Sequence, residues 1–447
     1  MTVPIKLETI IRINHVTIQC LKNVKHGIFK TNSTFNPDGA DIIGFYGQNG
    51  SGKTAVVEAF SLLKTLLQAK ALPDNRKKLI YFKEKSIELH IEFLITNQLG
   101  QYFVKYFVEL QEGYETLKVL KETLSYKENK SGKRYKELIS KQDNKISIRN
   151  KTMELFREKQ RVSLLVANHL ADENATSFIF REELACVLAS FCNEAENEII
   201  KNLKQDFTDN FHVIDAIHYG LLVANLVMPF RIHVEGVRGN IPYELRDTML
   251  LPREMFTTIE KVVEQTNMVL TTIIPGLFIK VREINIEKMS SGQDGVRFEF
   301  LSVKEDIELP LRSESQGILK IISILSTLIA VYNNPNACVV IDELDAGIFE
   351  YLLGEMLEVL SESGKGQLFF TSHNLRILEV LPIQNLWFTT LNEEQRYMQL
   401  KGVKKLSNAR DIYLRAIQLG GQDEAIYNET NMYDIKKSFR KAGKIIG

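Results

Sequence analysis

The sequence predicts an α/β protein with a mixed β-sheet, an antiparallel β-subdomain near its N-terminus and a mainly helical insertion. Three observations support this class. Residues 42–46 form a short apolar run that leads through a glycine-rich loop into an amphipathic helix. β-rich runs separated by polar turns fill much of the first 150 residues, and helix and strand patterns alternate after Val303. We expect a first lobe over 1–150, an insertion over 151–275 and a second lobe over 276–447.

The composition predicts a globular chain without a strong net electrostatic field. Hydrophobic residues make up 44% of 447 residues, and 56 basic side chains balance 56 acidic ones. Binding to nucleic acid or to an anionic membrane would therefore have to rely on a local patch of basic side chains. The four cysteines (Cys20, Cys186, Cys192 and Cys338) lack metal-like spacing, so we expect reduced thiols. We see no signal sequence and no stretch that approaches a membrane span, which predicts a cytoplasmic protein without a membrane partner.

The first lobe contains two predicted hairpins and one helix. Residues 12–31 read as two strands divided by the turn Lys25-His26-Gly27. Residues 54–67 read as a helix after the strand at 42–46, and two β-rich runs flank the polar turn 97–100. The segment 126–151 is rich in Lys, Asn and Ser. It predicts either a solvated β-arm or a mobile loop.

The middle of the chain is helical in composition over 154–204 and 253–273, with prolines interrupting the residues between. Strands return over 278–303 around the turn 292–295. The sequence lacks a sustained heptad repeat, so we expect a compact insertion rather than a long coiled-coil arm.

Residues 47–54 form a phosphate-binding pattern, G-x-x-x-x-G-K-[ST], between a predicted strand and a predicted helix. They are Gly47, Gln48, Asn49, Gly50, Ser51, Gly52, Lys53 and Thr54. The glycines let the loop curl so that backbone N–H groups and the helix N-terminus face a polyphosphate. We expect ATP as the ligand, with Lys53 on the β- and γ-phosphates. The Thr54 hydroxyl would bind Mg²⁺.

Two acidic residues follow the apolar run 337–341. Asp342 would hold Mg²⁺, and Glu343 would orient and polarise the water that attacks the γ-phosphate. The alternative is a buried strand followed by a solvated acidic turn. The phosphate-binding loop elsewhere in the chain favours the catalytic interpretation.

Residues 343–347 (Glu-Leu-Asp-Ala-Gly) and 367–374 (Gln-Leu-Phe-Phe-Thr-Ser-His-Asn) resemble the D-loop and the switch-histidine strand of ABC-type ATPases. The resemblance implies that Asp345 couples two active sites and that His373 contacts the γ-phosphate. Residues 313–318 are similar to the short Ser-x-Gly signature of RecF, SMC and OLD-type proteins. Ser315 and Gly317 would then bind the nucleotide of a second copy, whereas the alternative is an ordinary helix N-cap.

The chain resembles the RecF/OLD-like branch because sheet, polar arm and helices separate Thr54 from Ser313. Its tail, with Asn408 to Leu414 and Gly420-Gly421, looks like the ATPase subunits of anti-phage systems such as PARIS, Septu and AbiL. The tail lacks the Asp-x-Asp cluster of a TOPRIM nuclease. Its basic end, 436–441, reads as a solvated helix face or, alternatively, a DNA contact.

Three functions remain to be compared. The resemblance implies a homodimeric or larger ATPase that senses a trigger and controls a separately encoded nuclease or toxin. The alternative is a RecF- or SMC-like DNA-maintenance ATPase that binds duplex DNA directly. A transporter subunit is the third, and the missing transporter-type signature argues against it.

Overall fold

The computed structural model describes residues 9–31, 39–72, 76–113, 116–215, 227–234, 237–244, 248–401, 409–428 and 431–445. The strands are β1 (Ile10–Leu21), β2 (Val24–Lys30), β3 (Asp41–Tyr46), β4 (Ser86–Asn97), β5 (Gly100–Glu112), β6 (Leu117–Glu128), β7 (Lys136–Gln142), β8 (Lys145–Ile148), β9 (Lys151–Thr152), β10 (Phe211–Ile214), β11 (Val227–Val234), β12 (Val237–Glu244), β13 (Met249–Pro252), β14 (Leu277–Lys288), β15 (Asp294–Lys304), β16 (Ile307–Pro310), β17 (Cys338–Ile341), β18 (Gln367–Thr371), β19 (Leu386–Thr389) and β20 (Tyr397–Met398).

The helices are α1 (Lys53–Leu67), α2 (Glu158–Glu173), α3 (Ala185–Phe191), α4 (Glu194–Lys201), α5 (Thr208–Asn210), α6 (Arg253–Ile273), α7 (Gln316–Asn333), α8 (Glu350–Ser363), α9 (Ile377–Val380), α10 (Ala409–Leu419) and α11 (Met432–Ile445). A π-helical turn, Asn202–Phe207, joins α4 to α5.

The central sheet has the order β10-β17-β18-β3-β19-β20, and all neighbours are parallel except β19 and β20. Its strands are short apolar runs, as expected for strands that are covered on both faces. Because parallel strands end at one edge of the sheet, the loops that follow β3, β17 and β18 lie side by side. This edge carries the candidate site.

An antiparallel sheet with the order β2-β1-β4-β5-β6-β7-β8-β9 forms the β-subdomain. It is attached to the central sheet by polar contacts at β1. Arg12 is ion-paired with Asp41 at 3.3 Å, and the Ile13 N–H donates to the Gln367 side chain at 2.8 Å. A third sheet (β13-β15-β14, with β16 on β15) covers part of the second lobe.

The central sheet separates two hydrophobic cores, and alternate residues of each strand face opposite cores. In β3, Ile43 and Phe45 belong to the core shared with α1 and the antiparallel sheet, whereas Ile42 and Tyr46 belong to the core shared with α6, α7 and α8. The predicted α/β class, with a mixed sheet and an antiparallel β-subdomain, is confirmed.

The first hairpin turns earlier than predicted. Its turn is Lys22-Asn23, where Lys22 has φ of +54°, and Leu21 pairs with Val24 across it. The predicted turn residues lie inside β2. Gly27 is required there for packing, because a Cβ at this position would lie 2.4 Å from the Tyr397 ring. Gly27 is thus a glycine because the Tyr397 ring occupies the space of a side chain, and not because the chain turns there.

The polar segment 126–151 is part of the antiparallel sheet, so the mobile-loop alternative is wrong. Leu138 and Ile139 are fully buried, and β7 and β8 pair in register from Ile139–Ile148 to Gln142–Lys145. The few apolar residues of this segment are concentrated on the buried face, which composition averaged over the segment does not reveal.

The segment 151–275 contains the predicted helices, but it also contributes strands that we did not predict. β10 lies at the edge of the central sheet beside β17, and β13 pairs with β15. Strands of four residues, such as these two, carry too little periodicity to be recognised in a helical context.

The prediction that no stretch of the chain approaches the length of a membrane span is wrong for α7. Within the described ranges, α7 is long and apolar enough to cross a membrane by length and composition. In this fold it is a core helix, with 56% of that window buried.

All four cysteines are free thiols, as expected.

Candidate functional site

The loop between β3 and α1 is curled by three glycines with positive φ: Gly47, Gly50 and Gly52. A Cβ at Gly47 would lie 1.7 Å from the Thr389 hydroxyl oxygen, so only glycine fits there. The Ser51 hydroxyl bonds to the carbonyl oxygen of Gln48 and to the Thr389 hydroxyl, both at 2.5 Å. The loop is therefore held in a fixed curl in front of the α1 N-terminus, an arrangement suited to binding phosphate.

Lys53 begins α1 and its side chain returns over the loop. Its Nζ donates to the carbonyl oxygens of Gly47 at 2.8 Å and Gln48 at 3.1 Å. Burial lowers the pKa of Lys53, and the charges of Asp342 and Glu343 oppose this shift. A partly desolvated ammonium in a loop of this kind is well placed to bind a polyphosphate.

A cleft of about 430 Å³ brings the predicted motifs together. The residues that line it are Lys22, Asn23, Asn49, Gly50, Gly52, Lys53, Thr54, Ala55, Asp342, Glu343, Thr371 and His373. Gly47, Gln48 and Ser51 shape the loop behind this lining. Residues far apart in the sequence thus meet at one edge of the central sheet.

Asp342 follows β17 and is only 2% exposed. The Thr371 hydroxyl donates to Asp342 Oδ1 at 2.6 Å, and burial raises the pKa of Asp342. Thr54 lines the same cleft. A carboxylate and a hydroxyl are oxygen ligands of the kind that Mg²⁺ prefers beside phosphate oxygens, so these residues fit the predicted metal.

Glu343 has an unusual backbone, with φ of +46°. Its N–H donates to the Thr371 hydroxyl at 2.8 Å, and its carbonyl oxygen accepts from the Ala346 N–H at 3.1 Å and from Lys320 Nζ. A left-handed conformation in a non-glycine residue is costly and persists only when its surroundings hold it. These contacts fix the backbone of Glu343, whose exposed side chain lines the cleft.

His373 lies after β18 and is exposed at the cleft. Its backbone N–H donates to Asp345 Oδ2 at 2.9 Å. Burial, and then the nearby Lys53 ammonium, lower the pKa of His373. This shift favours the neutral imidazole, in which one nitrogen donates and the other accepts. Asp345 is not among the described residues that line the cleft; its carboxylate instead fixes the backbone of His373.

The signature residues stand apart from this cleft. Ser315 caps α7, accepting from the Ile318 N–H at 3.3 Å, and its side chain is exposed. Neither Ser315 nor Gly317 is among the described residues that line the cleft. A Cβ at Gly317 would lie 2.3 Å from the Gly347 carbonyl oxygen, so this glycine lets the helix approach the D-loop of its own chain.

Sequence reasoning missed three contributors to the site. Lys22 and Asn23 enter the cleft from the β1–β2 turn, which was predicted three residues too late. The third contributor is Lys320, a lysine on α7 that is only 4% exposed and contacts Glu343. A single lysine in the largely apolar stretch 317–325 was the available signal, because a buried cation needs a polar partner.

Comparison with protein families agrees with this arrangement of motifs. The family profile described as "AAA domain, putative AbiEii toxin, Type IV TA system" matches residues 42–379, which is more than half of the chain. No curated protein matches the chain. Among solved structures, the SMC head domain from Thermotoga maritima is 11% identical with a TM-score of 0.39, over 87% of this chain and 99% of that one.

Two further solved structures are similar at the same low level. An SMC head domain bound to the C-terminal domain of ScpA, derived from Pyrococcus furiosus, is 12% identical with a TM-score of 0.40, over 87% of this chain and 96% of that one. The recombination mediator RecF with ATP is 12% identical with a TM-score of 0.33, over 82% of this chain and 94% of that one. By the extent of the profile match, the chain belongs to the family of AAA domains described as putative AbiEii toxins of type IV toxin–antitoxin systems.

Proposed function

We propose that this protein binds ATP with Mg²⁺ and hydrolyses it in a site that a second copy completes. The observation that carries the proposal is the single cleft lined by Lys53, Thr54, Asp342, Glu343 and His373. In the proposed reaction, water attacks the γ-phosphorus and gives up a proton towards the Glu343 carboxylate, the bond from the γ-phosphorus to the β–γ bridging oxygen breaks, and ADP and phosphate leave. Bound Mg²⁺ draws charge from the phosphate oxygens.

Each residue has a distinct role in this proposal. Lys53 and the loop N–H groups bind the β- and γ-phosphates, while Thr54 and Asp342 hold Mg²⁺. Glu343 orients the attacking water, and His373 contacts the γ-phosphate. Ser315 and Gly317, exposed or partly exposed outside their own cleft, bind the triphosphate held by the other copy, and Asp345 links the two sites through His373.

At the level of the cell, we propose a cytoplasmic sensor or scaffold that controls a separate nuclease or toxin in anti-phage defence. The family description, with its toxin–antitoxin context, supports this proposal over a DNA-maintenance role. The balanced charge of the chain supports it as well. The test is ATP-dependent co-purification with the product of the neighbouring gene from the native host. ATP hydrolysis that duplex DNA stimulates, without such a partner, would support the DNA-maintenance alternative.

The catalytic assignment has its own test. Lys53→Ala should abolish ATP binding, because the loop then lacks its cation. Glu343→Gln should bind ATP normally and lower kcat by at least about 100-fold, because the amide orients water but cannot polarise it as a carboxylate does. Binding is measured by calorimetry and turnover by phosphate release. Parental turnover in Glu343→Gln would show that another group performs this role.

A further inference from the structure

The C-terminal helix α11 is an amphipathic helix that is exposed over its described side chains. Met432, Ile435 and Phe439 form an apolar stripe at helical spacing, and Phe439 is 77% exposed. The sequence of the helix contains five basic residues and one acidic residue. A stripe with this pattern gains stability only when another surface covers it.

The segment before α11 is attached to the phosphate-binding loop. The Asn428 N–H donates to the Gln48 side chain at 3.0 Å, and the Leu391 N–H donates to the Ala425 carbonyl oxygen at 2.7 Å. Four residues of extended chain span at most about 14 Å. Met432 therefore begins α11 within that distance of Asn428, which is itself bonded to the phosphate-binding loop.

The outer face of α8 has the complementary chemistry. Tyr351 and Val359 are exposed there, each at 52%, among Glu355, Glu358 and Glu362. The helix contains four glutamates and neither lysine nor arginine. Val359 can meet the apolar stripe of α11 while the basic side chains of α11 face the glutamates of α8. The Tyr351 ring beside them carries the Arg376 guanidinium, 5.0 Å from its centroid.

The two faces come together across the dimer that the proposed function requires. In that dimer, the phosphate-binding loop of one copy faces Ser315 of the other. Gly317 touches Gly347 within each copy, and α8 starts three residues after Gly347. In the proposed dimer, the start of α8 in one copy would therefore face the phosphate-binding loop of the other, to which the segment before α11 is bonded.

We propose that α11 of one copy docks on the outer face of α8 of a second copy and clamps the ATP-bound dimer; this rests on the proposed function. The contact is reciprocal, since each copy supplies one α11 and one α8. It stabilises the dimer from outside the nucleotide site and leaves the catalytic residues untouched.

Charge reversal in two separate variants tests the contact. Both are made in the Glu343→Gln background, where ATP should hold the dimer. One variant carries Lys436→Glu with Arg440→Glu on α11, and the other carries Glu355→Lys with Glu362→Lys on α8. Each should weaken ATP-dependent dimerisation by about tenfold, measured by sedimentation velocity. A matched control, Lys145→Glu with Lys159→Glu, should dimerise as the parent does.

Mixing the two charge-reversal variants distinguishes a contact between two copies from a contact within one chain. In a mixed dimer of the two variants, both contacts pair opposite charges, so dimerisation should recover to near the parental level. Recovery only when all four reversals share one chain would place α11 on α8 of its own chain and overturn the proposal. No weakening, or no recovery in either format, would also overturn it. Failure of the Glu343→Gln parent to dimerise with ATP would instead refute the dimer of the proposed function, and this contact with it.

Discussion

Lys320 makes an unusual contact in the site, because its buried ammonium is bonded to a backbone carbonyl oxygen, that of Glu343. Lys320 is buried on α7, five residues after Ser315, and its ammonium donates to the Glu343 carbonyl oxygen. One side chain therefore joins α7 to the backbone of Glu343, the proposed catalytic residue. Because Glu343 adopts a left-handed backbone, we infer that this donor helps to hold the carboxylate in place.

Replacing this lysine should separate turnover from binding. Lys320→Met keeps the approximate length of the side chain and removes the donor, so the Glu343 backbone can relax. We expect kcat to fall about tenfold with an unchanged Kd for ATP. Lys320→Arg, which keeps a donor, should recover part of kcat. An equal loss of kcat in both variants would indicate a packing defect instead.

The same residue makes a prediction about pH. Burial lowers the pKa of Lys320 from 10.5 to about 8. Between these values the unfolded chain binds a proton that the folded protein has released, so the free energy of unfolding rises with pH. From about pH 8 to pH 10, wild type should gain stability relative to Lys320→Met, by at most about 1.4 kcal/mol per pH unit. Thermal unfolding measures this, and a difference that is constant with pH would contradict it.

At the scale of elements, the N-terminus of α7 and the D-loop are packed so closely that glycine is required. The Gly317–Gly347 approach places Ser315 at the surface while keeping α7 in contact with the acidic loop after β17. We therefore expect a change at Ser315 or Gly317 to alter the position of Glu343.

Gly317→Ala should break this connection. The new Cβ would lie 2.3 Å from a backbone oxygen, which cannot move as a flexible side chain can. We expect ATP binding to persist, because Gly317 does not line the cleft, and kcat to fall at least about tenfold. The control is Gly132→Ala, in the exposed turn between β6 and β7, where a Cβ meets nothing within 4 Å; its positive φ strains only that turn, so turnover should stay parental. Parental kcat in Gly317→Ala would show that the close approach has no catalytic role.

At the scale of the whole molecule, the cleft and the signature of one chain belong to different active sites in the proposed dimer. This division can be tested by complementation. Lys53→Ala removes the loop cation, and Ser315→Arg blocks the signature, so each variant alone should be inactive. An equal mixture should regain about one quarter of parental turnover, since half of the randomly paired dimers contain one intact site. Phosphate release measures this, and an inactive mixture would argue against a shared site.

The local motifs could be predicted from sequence because short-range rules determine them. A glycine-rich loop before a helix, with Lys53 and Thr54 at the required spacing, specifies its own curl. The apolar run before Asp342 specifies a buried strand, and Ser315 was expected at the start of a helix. Each of these depends on neighbours within a few residues.

Long-range contacts required the tertiary structure. Gly27 looked like a turn residue until Tyr397, far later in the chain, was seen to fill its space, and the place of Lys22 in the cleft followed from that shifted turn. The partner of Lys320 and the edge position of β10 depend likewise on distant strands. The sequence alone predicted the chemistry that we propose for the site; only the folded chain decided which distant residues surround it, because packing between remote elements leaves no local pattern.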